Sequence, residues 1–224
     1  RARACDVYIG IPFCTTRCAY CSFSSGEIGD GRLVEPYLAA LLHEIEACAE
    51  MAREMGLHIR VGYIGGGTPS SLTTPQLDRL LAHVERHFGA LAEFTVEAGR
   101  PDTLDAQKLR MLRDHPVTRI SINPQTMNDA TLTRIGRAHT AKQTVEAYEL
   151  ARSIGFDDIN MDVIAALPGE DYAMFAHTLA EIRRLRPESL TVHTLAIKRS
   201  SRLHEEKYAQ AEQDVARMVV LGRQ

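Results

Sequence analysis

Six times along this chain a run of strand-forming residues gives way to a helix-periodic stretch, and that alternation constrains the fold more than any single motif. The strand-like runs are Val7 to Phe13, His58 to Ile64, Glu93 to Ala98, Arg119 to Asn123, Asp158 to Leu167 and Ser189 to Ile197. The first helix follows from Leu38, Leu41, Leu42, Ile45, Cys48, Ala49 and Ala52 at helical spacing, with Cys48 counted as core. Thr74 as N-cap and Pro75 in the first turn open a second, which carries Leu77, Leu80, Leu81, Val84 and Phe88 on one face. Further helices are expected from about Thr103 to His115, from Lys142 to Ile154 with Gly155 as its C-terminal cap, from Tyr172 to Leu185 before Pro187, and from Ala211 to Leu221. Several strands look apolar on both faces, as buried parallel strands do. The expected architecture is α/β, a partial (β/α)6 barrel of parallel strands, because six units fall short of the eight of a closed barrel. No repeat, linker or low-complexity segment divides it, so residues 1–224 read as one domain.

In parallel βα folds the chemistry gathers at the carboxyl ends of the strands. Directly after the first strand stands Cys14-Thr15-Thr16-Arg17-Cys18-Ala19-Tyr20-Cys21. Thiolates bind zinc and iron-sulfur clusters, and a structural zinc site needs four protein ligands. Cys5 lies nine residues before Cys14 across an extended run, ~30 Å away at about 3.3 Å per residue, and cannot close the site. Three thiolates without a fourth suit a [4Fe–4S] cluster with one iron left open; the alternative is a zinc ion completed by a histidine, for which this spacing is unusual. The second strand ends in Gly65-Gly66-Gly67-Thr68-Pro69, where the missing Cβ atoms let backbone approach a ligand. Glu97 closes the third, Asn123 and Gln125 the fourth, and Arg137 follows in the next connection. Asn160 and Asp162 share a face of the fifth strand, Thr194 and Ala196 sit near the end of the sixth, and His193, of opposite parity, reads as a core residue.

Composition excludes other classes. A net charge of −3, from 26 basic and 29 acidic residues interspersed, points away from nucleic acid. No apolar run approaches a membrane span, and the opening residues lack a signal-peptide core. Five cysteines, three of them clustered, argue against a disulfide framework and for a reducing, cytoplasmic compartment.

The cysteine spacing, the aromatic Tyr20 before its last member and the Gly65–Pro69 turn together resemble the radical S-adenosylmethionine (SAM) enzymes, over nearly the whole chain. The likeness is greatest to the oxygen-independent coproporphyrinogen III oxidase branch. Val96-Glu97-Ala98-Gly99-Arg100-Pro101-Asp102 and Ser121-Ile122-Asn123-Pro124-Gln125-Thr126-Met127-Asn128 look like its coproporphyrinogen dehydrogenase-like subgroup. The resemblance implies a [4Fe–4S] cluster on Cys14, Cys18 and Cys21 and SAM on the fourth iron. It implies that Gly66, Gly67 and Thr68 meet the methionyl ammonium, that Glu97 accepts from the ribose hydroxyls, and that Gln125, Arg137 and Asp162 contact the cofactor. Arg137 would meet its carboxylate, with Asp162 orienting Arg137; Tyr8, Tyr20 and Ala196 are further contacts, the last beside the adenine. The implied partners are a porphyrinogen or haem and an electron donor such as a flavodoxin or ferredoxin.

Three positions depart from the oxidase pattern: Phe23 stands where a further cysteine is expected, Gly10 where a histidine is, and Ala166 where a glycine often precedes Leu-Pro. The oxidases also carry amino- and carboxyl-terminal regions that hold the porphyrinogen, so residues 1–224 read as the radical SAM core of a longer protein. Two activities follow: oxidative decarboxylation of coproporphyrinogen III propionates to vinyl groups in haem biosynthesis, which is favoured, and a haem chaperone that binds and delivers haem without turnover. Cys21-Ser22-Phe23 resembles the chaperone more than the oxidase.

Overall fold

Six strands run parallel and lie side by side in the order in which they occur in the chain: β1 (Arg3–Ile11), β2 (Leu57–Gly66), β3 (Glu93–Glu97), β4 (Arg119–Ser121), β5 (Ile159–Ala165) and β6 (Ser189–Thr194). The structure is a computed structural model that describes residues 3–208 and 212–223. β1 and β6 are the two edges, so the sheet curls into a half-barrel without closing, as the count of six units requires. The helices are α1 (Val34–Glu54), α2 (Thr74–Phe88), α3 (Ala106–Asp114), α4 (Asp129–Arg134), α5 (Ala141–Ile154), α6 (Tyr172–Leu185), α7 (Arg202–Glu205) and α8 (Glu212–Gly222).

Most strands carry their buried apolar residues on one face, which narrows the expectation of two; β5, with Ile164 buried on its other face, meets it in part. Ile9, Ile11, Ile64, Phe94, Val96, Ile120, Ile159, Met161 and Val163 are buried in one core with Leu38, Leu77, Leu81, Leu109 and Phe175 of the helices. The opposite parity carries polar side chains in register: Tyr63, Thr95 and Arg119 form one row across β2–β4, and Glu97, Ser121 and Asn160 the next across β3–β5. α1, α2, α3, α5 and α6 pack on the outer face, while inside Ile164 packs with Leu132 of α4 and Leu203 of α7 and the rest of the inner face lines a cavity.

Helix ends follow local chemistry. The N-cap of α2 is Thr73, one residue before the expected Thr74, and its amide donates to Gln76 Oε1 at 3.0 Å. Pro101–Thr103 forms a separate 3₁₀ turn, and Asp105 caps α3 by accepting from the Lys108 amide at 2.7 Å, so α3 starts later than Thr103. Gly155, at φ 103°, caps α5, and α6 has the expected bounds. The expected first residue of the last helix, Ala211, lies outside the described residues. Helices α4 and α7, of six and four residues, are too short to show a period in sequence.

Strand ends shift for equally local reasons. β4 stops at Ser121 because Pro124 lacks an amide donor and Gln125 takes φ 67°; a single bridge from Gln125 to Val163 resumes the pairing. β5 stops before Ala166, which holds φ 65°, a conformation that costs a non-glycine residue roughly 1–2 kcal/mol and explains why glycine is favoured there. Cys48 is exposed on α1, not core: Ile45, Ala49 and Ala52 supply the buried stripe and Cys48 falls beside it. Among the described residues no helix is long and apolar enough to cross a membrane.

Candidate functional site

The cysteine loop leaves the sheet at the end of β1 and is pinned from several directions. Phe13–Cys14 pairs in parallel with Gly26–Glu27, which returns the loop to its own start. The Ala19 amide donates to Ile135 O at 2.9 Å and the Thr16 hydroxyl to Gly136 O at 2.8 Å, tying the loop to the end of α4. The Leu203 amide at the start of α7 donates to Ala19 O at 3.1 Å. The two short helices thus brace the loop. Cys14 and Cys18 are buried, Cys21 half-buried, and all three are free thiols.

The glycine turn after β2 packs backbone to backbone against this loop. Gly67 N donates to Ile11 O and Thr68 N to Phe13 O, both at 2.7 Å. A Cβ at Gly67 would stand 2.6 Å from Phe13 O and 3.0 Å from Cys14 Sγ, and Gly66 holds φ 108°. These glycines are required by the closeness of the cysteine loop itself. The buried Thr68 hydroxyl lies 3.5 Å from Cys14 Sγ.

Behind the loop, the inner face of the sheet encloses a cavity of about 590 Å³, within the range of small-molecule and cofactor sites. Cys14, Cys18 and Cys21 line it together with Tyr20, Gly66, Gly67, Thr68, Glu97, Gln125, Arg137 and Asp162. Asn123 Oδ1, Gln125 Oε1 and Arg137 Nε are buried with no hydrogen-bond partner among the described residues. Buried polar atoms are seldom left so, and their convergence on one cavity fits a polar ligand there. A ligand with ammonium, carboxylate and hydroxyl groups, such as SAM, matches that donor and acceptor set.

Glu97 accepts from the Tyr63 hydroxyl at 2.6 Å. Burial raises the Glu97 carboxyl above its ordinary range, and nearby Asp162 adds to the effect. Burial and the bond to Glu97 likewise keep the Tyr63 phenol protonated. Asp162 accepts from Asn160 Nδ2 at 2.7 Å. It does not orient Arg137, which corrects that expectation: Arg137 donates to Gly99 O and the Tyr20 hydroxyl, each at 3.3 Å, and the acid whose charge acts on it is Asp102.

Two other expected contacts fall elsewhere. Tyr8 is exposed, stacks on Tyr63 at 5.8 Å, and lines an adjoining cavity of about 330 Å³ that shares Phe23, Gly66 and Gly67 with the first. Ala196 is exposed beyond the end of β6 and lines neither. Thr191 and His193 take the inward parity of β6, so His193 faces the cavity and is not a core histidine.

The residue that sequence reasoning missed is Arg100. It is 2% exposed, and its guanidinium donates to the hydroxyls of Thr15 at 3.2 Å and Thr16 at 2.6 Å, to the Thr16 carbonyl, and to Cys18 Sγ at 3.3 Å. Its place just after β3 was a signal, but an isolated loop arginine ordinarily reads as solvated.

The radical SAM superfamily model matches residues 8–182. The chain is 45% identical over 91% of its length to the oxygen-independent coproporphyrinogen-III oxidase-like protein HemZ of Bacillus subtilis, covering 41% of that protein. It is 37% identical over 86% of its length to the heme chaperone HemW of the same organism, covering 50%. The solved coproporphyrinogen III oxidase HemN of Escherichia coli superposes on 99% of the chain with a TM-score of 0.88 and 26% identity, and 51% of that structure is matched. The chain spans about half the length of these relatives.

Proposed function

Because the chain belongs to the radical SAM superfamily, whose cofactors are a [4Fe–4S] cluster and SAM, we propose that Cys14, Cys18 and Cys21 hold three irons and that the cavity behind them holds SAM on the fourth. The observation that carries the reading is the convergence of three partnerless buried atoms, on Asn123, Gln125 and Arg137, upon a cavity lined by three free thiols. When bound, the cluster supplies the electron that cleaves the sulfonium of SAM to methionine and a 5′-deoxyadenosyl radical. The protein's part is to position and shield. The Gly66–Gly67 backbone and the Thr68 hydroxyl receive the methionyl ammonium, Arg137 pairs with its carboxylate, and ionised Glu97 accepts from ribose hydroxyls. Gln125, Asp162 and Tyr20 complete the enclosure, and Tyr8 bounds the adjoining space. Arg100 supplies a buried positive charge against the Cys18 sulfur, offsetting the negative charge of three thiolates.

The proposed reaction is oxidative decarboxylation of coproporphyrinogen III, supported by the likeness to HemZ and HemN. Each of two propionate side chains would lose a hydrogen atom, carbon dioxide and one electron, the electron going to an external acceptor, to become a vinyl group, with the bound cofactor supplying the hydrogen-atom acceptor. A low-potential carrier such as a flavodoxin or ferredoxin would reduce the cluster, in the cytoplasm. The second reading, haem binding without turnover, is favoured by Phe23, which is 66% exposed between the two cavities, and by the likeness to HemW. The test is anaerobic reconstitution of the full-length protein with iron and sulfide, then incubation with reductant, SAM and coproporphyrinogen III. Protoporphyrinogen with 5′-deoxyadenosine is the expected result; stoichiometric haem binding without either product would replace the oxidase with the chaperone.

A further inference from the structure

On the outside of the half-barrel, in the seam between α1 and α2, three side chains converge that the cofactor cavity does not use. His83 and His87 are four residues apart on α2 and so share one face. Glu46 reaches across from α1: its Oε1 lies 3.4 Å from His83 Nε2 and 3.7 Å from His87 Nε2. The two imidazoles stand 4.3 Å apart, inclined by 37°, and the three residues each offer a donor atom within 4.8 Å of the others.

These separations distinguish two kinds of contact. A charge-assisted hydrogen bond from imidazolium to carboxylate closes to ≈ 2.7–2.9 Å. His115, at the end of α3, does this against Asp78 of α2, at 2.9 Å. The approaches of His83 and His87 to Glu46 are longer than that, and they are close to the ligand–ligand edge of a tetrahedral zinc site. Bonds of ≈ 2.0–2.1 Å to nitrogen and oxygen give edges of about 3.4 Å. Burial supports the same distinction: the His83 and His87 side chains are 13% and 21% exposed, whereas Glu46 is 46% exposed and leaves an open side for water. His43, one turn before Glu46, brings its Nδ1 to 3.9 Å from Glu46 Oε2, where it can orient the carboxylate. His83 Nε2 also lies 3.0 Å from Leu42 O, so an ion must compete with that hydrogen bond and select the tautomer protonated on Nδ1.

We propose that Glu46, His83 and His87 form a site for a divalent transition-metal ion of the zinc class, which clips the first two helices of the half-barrel together. Two imidazoles and one carboxylate favour such an ion over calcium or magnesium, which take oxygen ligands. The site shares no residue with the cysteine loop, so it stands or falls separately from the cluster.

The experiment must keep the cysteines from taking the metal. Zinc is added to protein already carrying its cluster, excess is removed by anaerobic gel filtration, and zinc and iron are counted per chain. A Cys14→Ser/Cys18→Ser/Cys21→Ser variant is treated alongside, so that failure to load the cluster leaves this test intact. One retained zinc per chain is expected in both, with affinity falling about tenfold or more in His87→Gln and in Glu46→Gln while the iron count is unchanged. Circular dichroism melting without zinc confirms that the variants fold. No retained zinc in either background, or equal retention by both variants, overturns the site.

Discussion

The two sides of the cofactor cavity are built differently. The side made by β1 and β2 is closed by main chain: two amides of the glycine turn donate to the Ile11 and Phe13 carbonyls at 2.7 Å, and a single Cβ at Gly67 would collide with Phe13 O. The opposite side, at β3, β4, β5 and the connection after β4, is built from side chains, and it holds three of the six buried atoms without partners among the described residues. The first side is held together by its own main chain, whereas the second turns unpaired polar atoms toward the cavity. The two buried arginines mark the same contrast. Arg100 spends its donors on Thr15, Thr16 and Cys18, while Arg137 keeps Nε free beside the cavity.

That contrast can be broken most sharply at the cysteines. Cys18→Ala is expected to abolish cluster assembly, measured as iron content and visible absorption after anaerobic reconstitution; an unchanged spectrum would refute the assignment of the loop. On the other side, Arg137→Gln should leave iron content intact while weakening SAM binding by about 10–100-fold, the worth of one hydrogen bond to a charged group. Equilibrium dialysis with radiolabelled SAM checks it, and a parallel loss of iron would mean that the two sides are not separable.

Arg100→Met probes the cluster side while leaving all three cysteines in place. Removing a buried positive charge makes the cluster harder to reduce, and a tenfold change in the one-electron equilibrium is about 59 mV, so the midpoint potential should fall by roughly that amount. Redox titration followed by electron paramagnetic resonance reads it, and a purely structural role would lower cluster occupancy without moving the potential. The smallest effect is expected from pH. Burial and Asp162 raise the Glu97 carboxyl, so its ionised, accepting form is lost as pH falls through a value above the ordinary carboxylate range. SAM retention should weaken on acidification sooner than an ordinary glutamate predicts, and Glu97→Gln should flatten that limb.

Particular residues show how far sequence alone could reach. The cysteine triplet, the glycine turn and Glu97 are legible because spacing and position at strand ends carry their meaning. Asn160 and Asp162 share the cavity face as period two requires. Parity failed on β6, where His193 faces inward and Ala196 does not, because the sequence does not say which face the helices cover. Arg137 was legible as a residue of the cavity but its partners were not: they are Gly99 and Tyr20, residues of two other loops.

By itself, the sequence determined the order of strands and helices, the half-barrel and the place of the cysteine loop, since these depend on local periodicity and turn chemistry. The tertiary structure decided what converges from distant segments: that Arg100, 82 residues from Cys18, donates to its sulfur, that α4 and α7 brace the cysteine loop, and that Glu46 meets His83 and His87. The physical reason is that hydrogen bonds and ion contacts between distant segments depend on register and burial, which no local pattern in a single chain encodes.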